Sequence, residues 1–154
     1  MNYALDRLAK ELALADAGNE HLRLEFGYAC VLRVKHLLEE REVEQCLLGL
    51  GDYLAGFADR ECLRTLAAEA ARLANHHRGS KSIDGCGHAA VSATYAVAKA
   101  VEGKALEAAS YAAYAVVYAQ GGYAAVADRE SFEPEFEWQL GSLKSLACRA
   151  ALQA

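Results

Sequence analysis

The residues best suited to bind a metal lie near the middle of the chain. His76 and His77 are followed, after a short loop, by Cys86 and His88. Imidazole nitrogens and thiolates are the usual ligands of zinc, which takes four of them in structural sites. If the helices on either side of the loop form an antiparallel pair, the four side chains flank one turn and can converge. The spacing matches no established zinc motif, so a polar helix end with a packed thiol is the alternative.

Four tyrosines form a second group, with Tyr95 in one segment and Tyr111, Tyr114 and Tyr118 in another. The spacing of the last three places them on one face of a helix. A tyrosine buries its ring while its hydroxyl seeks a polar partner. The group therefore predicts a pocket or a protein interface lined by phenols. The alternative is a half-buried seam between helices, because aromatic stripes at helical spacing usually belong to the core.

A third group combines acidic and aromatic side chains between Asp128 and Trp138. Its candidate contact residues are Glu130, Glu133, Glu135, Glu137 and Trp138. Carboxylates around a large aromatic anchor are suited to a basic protein partner. The same acids also favour the N-terminus of a helix, where the backbone dipole stabilises negative charge. A contact surface and a simple helix start are therefore the two interpretations of this segment.

The elements that must position these groups are predicted to be helices. Alanine, the best helix former, occurs 33 times, whereas proline, the poorest, occurs once. Apolar residues recur at helical spacing, and no segment alternates with a period of two. We therefore predict an all-α, compact bundle of about seven helices with short connections and no sheet. Because no long linker divides the chain, residues 1–154 are predicted to form a single domain.

Capping and turn residues predict where these helices begin and end. Asp59 and Asp84 are expected N-caps, and Gly121–Gly122 is expected to end a helix before a further turn to Ala127. Phe57 is expected to face the core. The expected helices span about residues 2–17, 20–40, 43–58, 60–77, 85–103, 104–120 and 134–152.

Charge and composition exclude several classes of function. The formal net charge is -5 and no long basic run occurs, so nucleic-acid binding is not expected. The first residues lack the apolar stretch of a signal peptide, and the most apolar segment is interrupted by Glu107 and the glycine pair, so no membrane span is expected. Five cysteines without a CxxC pair indicate reduced thiols in a cytoplasmic protein. We find no catalytic constellation and predict no cofactor.

Three stretches of the chain carry a recognisable pattern: the run from Phe26 through Cys30 and Arg33 to Glu39, the Gly-His-Ala-Ala run from Gly87 to Thr94, and the Trp-Gln run from Phe136 to Leu143. Together they resemble a family of alanine-rich helical bacterial immunity proteins. The match spans roughly residues 20–146. Tyr95 stands where the family has a histidine, and the first helix lies outside the match. The resemblance implies a small helical protein that neutralises a toxin, and it implies no catalytic residues.

Three hypotheses of function follow. The first is a non-enzymatic protein-binding domain that holds a protein partner, such as a toxin, by surface complementarity. The second is a small-molecule- or metal-binding helical protein with its site near His76, His77, Cys86 and His88. The third is a structural homo-oligomer that associates through its tyrosine face.

Overall fold

Helices form the framework of the part of the chain that the structure describes, as the composition predicts. The computed structural model describes residues 1–77 and 86–153, and it confirms an all-α bundle. The described residues contain seven α-helices and no strand: α1 (Tyr3–Glu11), α2 (Glu20–Leu32), α3 (Arg41–Leu54), α4 (Arg60–Asn75), α5 (Cys86–Val101), α6 (Ala105–Ala127) and α7 (Glu133–Gln153). Short 3-10 turns lie at Ala17–Asn19, Lys35–Leu37 and Arg129–Phe132. The predicted loop at 78–85, which includes the predicted cap Asp84, lies outside the described residues.

Helices α5 and α6 form the alanine-rich centre of the bundle. Their buried positions are dominated by alanine, including Ala93, Ala96, Ala108 and Ala112. Methyl-sized side chains let helix backbones approach closely, so many short contacts replace a few large ones. The two helices run antiparallel, because Lys99 pairs with Glu107 at one end while His88 contacts Tyr118 at the other. Larger side chains from α2, α3 and α7, such as Phe26, Leu50 and Leu143, complete the core.

One predicted cap is confirmed. Asp59 caps α4, since its Oδ1 accepts a hydrogen bond from the Cys62 backbone N–H at 2.9 Å. Three predicted helix ends are wrong. Helix α1 stops at Glu11, because Ala13 adopts a left-handed φ of 51°, and α2 stops at Leu32, ahead of a 3-10 turn. Neither of these two ends carries a glycine or proline that the sequence could reveal. Helix α3 stops at Leu54 and not near residue 58, because Gly56 adopts a left-handed φ of 86°.

The glycine pair bends α6 instead of ending it outright. Gly122 has φ 61° and ψ -148°, a backbone conformation that is essentially restricted to glycine. The chain resumes helical geometry after this residue and continues to Ala127. The predicted stop with a further turn is therefore observed as a kink.

The exposure of one aromatic residue differs from the expectation. The expectation that Phe57 faces the core is wrong, because its side chain is 84% exposed. It follows Gly56, whose φ of 86° turns the chain away after α3.

None of the described helices combines the length and apolar character that crossing a membrane requires.

Candidate functional site

A cluster of tyrosines lies at the surface around the α6 kink. Tyr118 stacks on His88 with ring centroids 5.2 Å apart, and Tyr123 meets both rings edge-on at 5.2 and 6.0 Å. Tyr114 lies 6.3 Å from Tyr118. We call Tyr114, Tyr118, Tyr123 and His88 the tyrosine surface. Tyr114 and Tyr123 are 42% and 55% exposed. Their rings therefore pack against neighbouring rings on one side and are exposed to solvent on the other.

The kink explains how Tyr123 joins this surface. A straight helix carries residue 123 about 140° away from residue 118 around the axis, following 3.6 residues per turn. The non-helical Gly122 resets that rotation and brings the Tyr123 ring against Tyr118 and His88. Helical spacing alone therefore identifies Tyr114 and Tyr118 but misses Tyr123. The Gly-Gly pair is the signal that the spacing changes at this point.

The predicted tyrosine group divides in two. Tyr95 stacks on Tyr111 at 5.3 Å, and its hydroxyl donates a hydrogen bond to Asn75 Oδ1 at 3.3 Å. Both rings are half-buried against the core between α5 and α6. This pair matches the seam interpretation, whereas Tyr114 and Tyr118 belong to the tyrosine surface.

Aromatic contacts extend from the tyrosine surface to the start of α7. The Tyr114 ring meets Phe132 edge-on at 5.1 Å, and Phe132 lies 5.5 Å from Phe136. The exposed acids Glu130, Glu133 and Glu137 come from the same turn and helix start. These three carboxylates therefore lie close in sequence to the rings of Phe132 and Phe136. Sequence reasoning placed the tyrosines and the acids in separate groups, and Phe132 is the residue that connects them.

The prediction that Glu135 is a surface contact is wrong. Its side chain is only 3% exposed, and it accepts three hydrogen bonds from Arg33, two from Nε at 2.8 and 3.1 Å and one from Nη2 at 2.8 Å. A buried carboxylate needs such a partner, because an unpaired charge is strongly destabilising there. This ion pair also raises the pKa of the Arg33 guanidinium. It joins Arg33, the residue after α2, to α7 across 102 residues of sequence.

Trp138 belongs to the same junction. The Arg33 guanidinium carbon lies 4.1 Å from the Trp138 ring centroid, in cation–π geometry. Trp138 is half-buried and packs against the core, so one face of its ring is already covered. Its proposed role as an anchor for a partner is therefore restricted to its remaining exposed edge.

Two further buried residues lie near the Arg33–Glu135 ion pair. The buried Gln139 amide donates a hydrogen bond to the carbonyl oxygen of Ala109 at 2.8 Å, which ties α7 to α6. The Cys30 thiol is fully buried next to this junction. Burial, and then the Glu135 carboxylate, raise its pKa well above the ordinary value, so the thiol is kept protonated and unreactive.

The predicted metal ligands contact different partners where they are described. The exposed His76 ring lies 2.8 Å from the Arg72 carbonyl oxygen, and the buried His77 ring lies 3.7 Å from Glu40 Oε1. His88 belongs to the tyrosine surface. The side chain of Cys86 lies outside the described part. Within residues 1–77 and 86–153, no three His, Cys, Asp or Glu residues are grouped in a way that could hold a metal ion.

Comparisons with protein-family models, with curated proteins and with solved structures found no match to this chain.

Proposed function

We propose that this chain is a non-enzymatic protein-binding domain of the immunity type, which acts in the cytoplasm by covering part of a toxin-like partner. The observation that carries the proposal is the continuous row of aromatic contacts from His88 to Phe136, part of which is exposed. Tyrosines are enriched in protein interfaces because their rigid rings bury much area at little loss of conformational entropy.

The acids of the neighbouring turn support a basic partner. Glu130, Glu133 and Glu137 are exposed, and the whole chain carries a net charge of -5. Complementary charge speeds association and selects the partner more than it adds affinity. We therefore assign contact area to the tyrosine surface and charge selection to these three glutamates.

The size of the surface indicates that it is one part of a larger interface. A fully buried tyrosine removes roughly 150–250 Å² from solvent, so Tyr114 and Tyr123, each about half exposed, supply on the order of 200 Å². A standard interface takes about 800 Å² from each partner. The remaining area must come from the surroundings of these rings.

Affinity capture from native lysate tests the proposal when it includes matched variants. We expect the wild-type chain to retain a basic protein that the variant Tyr114→Ser/Tyr123→Ser loses. The control Leu48→Ser/Phe57→Ser removes two other exposed apolar side chains and should retain the same protein. A protein retained equally by all three chains, or none retained at physiological salt, would contradict the proposal.

Self-association is the competing interpretation of the same surface. Sedimentation of the purified chain separates the two, because a homo-oligomer forms without any other protein. A dimer that Tyr114→Ser/Tyr123→Ser dissociates would assign the tyrosine surface to a second copy of the chain.

A further inference from the structure

The tyrosine surface holds two phenol rings in contact on either side of the α6 kink. The ring centroids of Tyr118 and Tyr123 lie 6.0 Å apart, and the ring planes meet at 87°. In this edge-to-face arrangement the rim of one ring points at the face of the other. Oxidised phenols join through rim carbons, those ortho to the hydroxyl. The contact therefore keeps two rings that can couple next to each other.

Solvent reaches this pair from the side of Tyr123. The Tyr123 side chain is 55% exposed, whereas Tyr118 is half-buried and also contacts the rings of His88 and Tyr114. An oxidant therefore meets Tyr123 first, and a radical formed there lies next to a second phenol. Because much of the Tyr123 ring borders solvent, the ring can turn into the orientation that a bond to Tyr118 requires.

A second tyrosine pair in the same molecule has the opposite properties. The Tyr95 and Tyr111 rings are closer, at 5.3 Å, but they are stacked within 20° of parallel. Both are half-buried between α5 and α6, and the Tyr95 hydroxyl donates a hydrogen bond to Asn75 Oδ1. A bond between ortho carbons requires one ring to leave the stack, which close packing opposes. Distance alone selects this pair, whereas exposure and ring freedom select Tyr118 and Tyr123.

We propose that Tyr118 and Tyr123 form an oxidative modification site, at which a haem peroxidase acting with hydrogen peroxide joins the two rings as dityrosine. Each phenol loses one electron and its hydroxyl proton, and the two radicals form a carbon–carbon bond between their ortho positions. The hydrogens on these two carbons then move to the oxygens, which restores both phenols. The two electrons and two protons released reduce hydrogen peroxide to two molecules of water.

The bond has a structural consequence, because it spans the kink. It links residues on the two sides of Gly122, whose φ of 61° and ψ of -148° interrupt α6. The bond therefore ties the segment after Gly122 to the main part of the helix and fixes the kink covalently. This inference is independent of the proposed function, since it requires no protein partner.

Peroxidase treatment of the purified chain tests the site. Thiols reduce tyrosyl radicals, so Cys62→Ser/Cys148→Ser first removes the two exposed thiols and serves as the background for every variant. Rings on one chain have an effective concentration of about millimolar, so at micromolar chain concentration coupling within the chain should exceed coupling between chains by roughly a hundredfold or more. We expect dityrosine fluorescence in the monomer isolated under denaturing conditions. Fluorescence confined to cross-linked dimers would overturn the inference.

Phenylalanine variants locate the bond, since they keep each ring and remove its hydroxyl. Tyr118→Phe and Tyr123→Phe should each lower the dityrosine fluorescence of the monomer at least about tenfold, because the remaining phenol has only partners at lower effective concentration. Tyr95→Phe/Tyr111→Phe removes the stacked pair and is the matched control, which should leave the signal unchanged. Circular dichroism confirms that all variants are folded. A signal that persists in Tyr118→Phe, or that disappears in the control, would contradict the inference.

The variant Tyr114→Phe determines which neighbour of Tyr118 takes part. Tyr114 lies 6.3 Å from Tyr118, but its ring also meets Phe132 edge-on and both residues precede the kink in α6. We therefore expect Tyr114→Phe to retain the signal. Loss of the signal in Tyr114→Phe, with retention in Tyr123→Phe, would assign the bond to Tyr114 and Tyr118 and overturn the inference.

The mass of the monomer separates a bond between rings from other products of oxidation. Dityrosine formation removes two hydrogen atoms from the chain, whereas hydroxylation of a ring adds oxygen. We expect the loss of two hydrogens in the wild-type monomer and its absence in Tyr118→Phe. A monomer that only gains oxygen would refute the coupling of the two rings.

Discussion

The end of α1 contains an alanine where the backbone favours glycine, and replacing it should stabilise the protein. The Leu14 N–H donates to the Ala9 carbonyl oxygen at 2.9 Å, and the Ala13 N–H donates to the Lys10 carbonyl oxygen at 3.1 Å. These two bonds define a Schellman motif, which requires a left-handed residue after the helix. That residue is Ala13, with φ 51°. The burial of Leu14 holds the turn in place.

The size of the effect follows from two opposing terms. A left-handed conformation costs a residue with a Cβ about 1–2 kcal/mol, which Ala13→Gly removes from the folded state. Glycine also increases the entropy of the unfolded chain, which offsets about 0.4–1 kcal/mol of this gain. We therefore expect Ala13→Gly to raise the free energy of unfolding by about 0.5–1 kcal/mol. For a chain of this size that corresponds to a Tm about 1–4 °C higher.

Two other exchanges between glycine and alanine serve as controls, because both should lower the free energy of unfolding. Gly56 ends α3 in the same motif, with φ 86° and no atom within 4 Å of the position that a Cβ would take, so Gly56→Ala should destabilise through the backbone alone. Ala68 is exposed in the middle of α4, where Ala68→Gly should cost about 1 kcal/mol. Urea unfolding followed by circular dichroism measures all three variants. If Ala13→Gly is destabilised like Ala68→Gly, the reasoning about the left-handed cap is refuted.

Three further predictions concern the junction, the kink and the thiols. Arg33→Met leaves the 3% exposed Glu135 without its partner and should cost about 2–3 kcal/mol in urea unfolding, below the range for fully buried pairs because Arg33 is 38% exposed; an unchanged midpoint would contradict this. Gly122→Ala should cost about 1–3 kcal/mol in thermal unfolding, since its φ and ψ are restricted to glycine, and an unchanged Tm would argue against a required kink. In native protein, iodoacetamide should label the exposed Cys148 but not the buried Cys30, as peptide mapping would show; equal labelling would contradict the burial of Cys30.

Sequence reasoning predicts the fold because its main signals are local. Helix propensity and apolar spacing act over a few residues, so the seven helices and the absence of a sheet in the described chain are accessible from sequence. The cap at Asp59 and the break at Gly121–Gly122 are local in the same way. The end of α1 is missed because Ala13 is held left-handed by the burial of Leu14, which is a tertiary effect.

The candidate site is predicted only in part, because its geometry depends on distant partners. The spacing of Tyr114 and Tyr118 places both on one face, but Tyr123 joins them only through the kink. Among the acids, nothing local distinguishes Glu135 from Glu133 or Glu137. Its partner lies on the segment after α2, 102 residues earlier, and that contact alone makes it a core residue.

The junction of α2 and α7 has a structural consequence of its own. Cys30, Arg33, Glu135 and Trp138 meet at the junction of α2 and α7, where their contacts are with one another and with the core. Side chains in such a junction fix how helices pack, and a protein can keep all of them while its exposed rings and charges differ. Under the proposed function, we expect partner choice to depend on the tyrosine surface. Exchanging those exposed residues should change the partner at little loss of stability, whereas changes at the junction should reduce stability first.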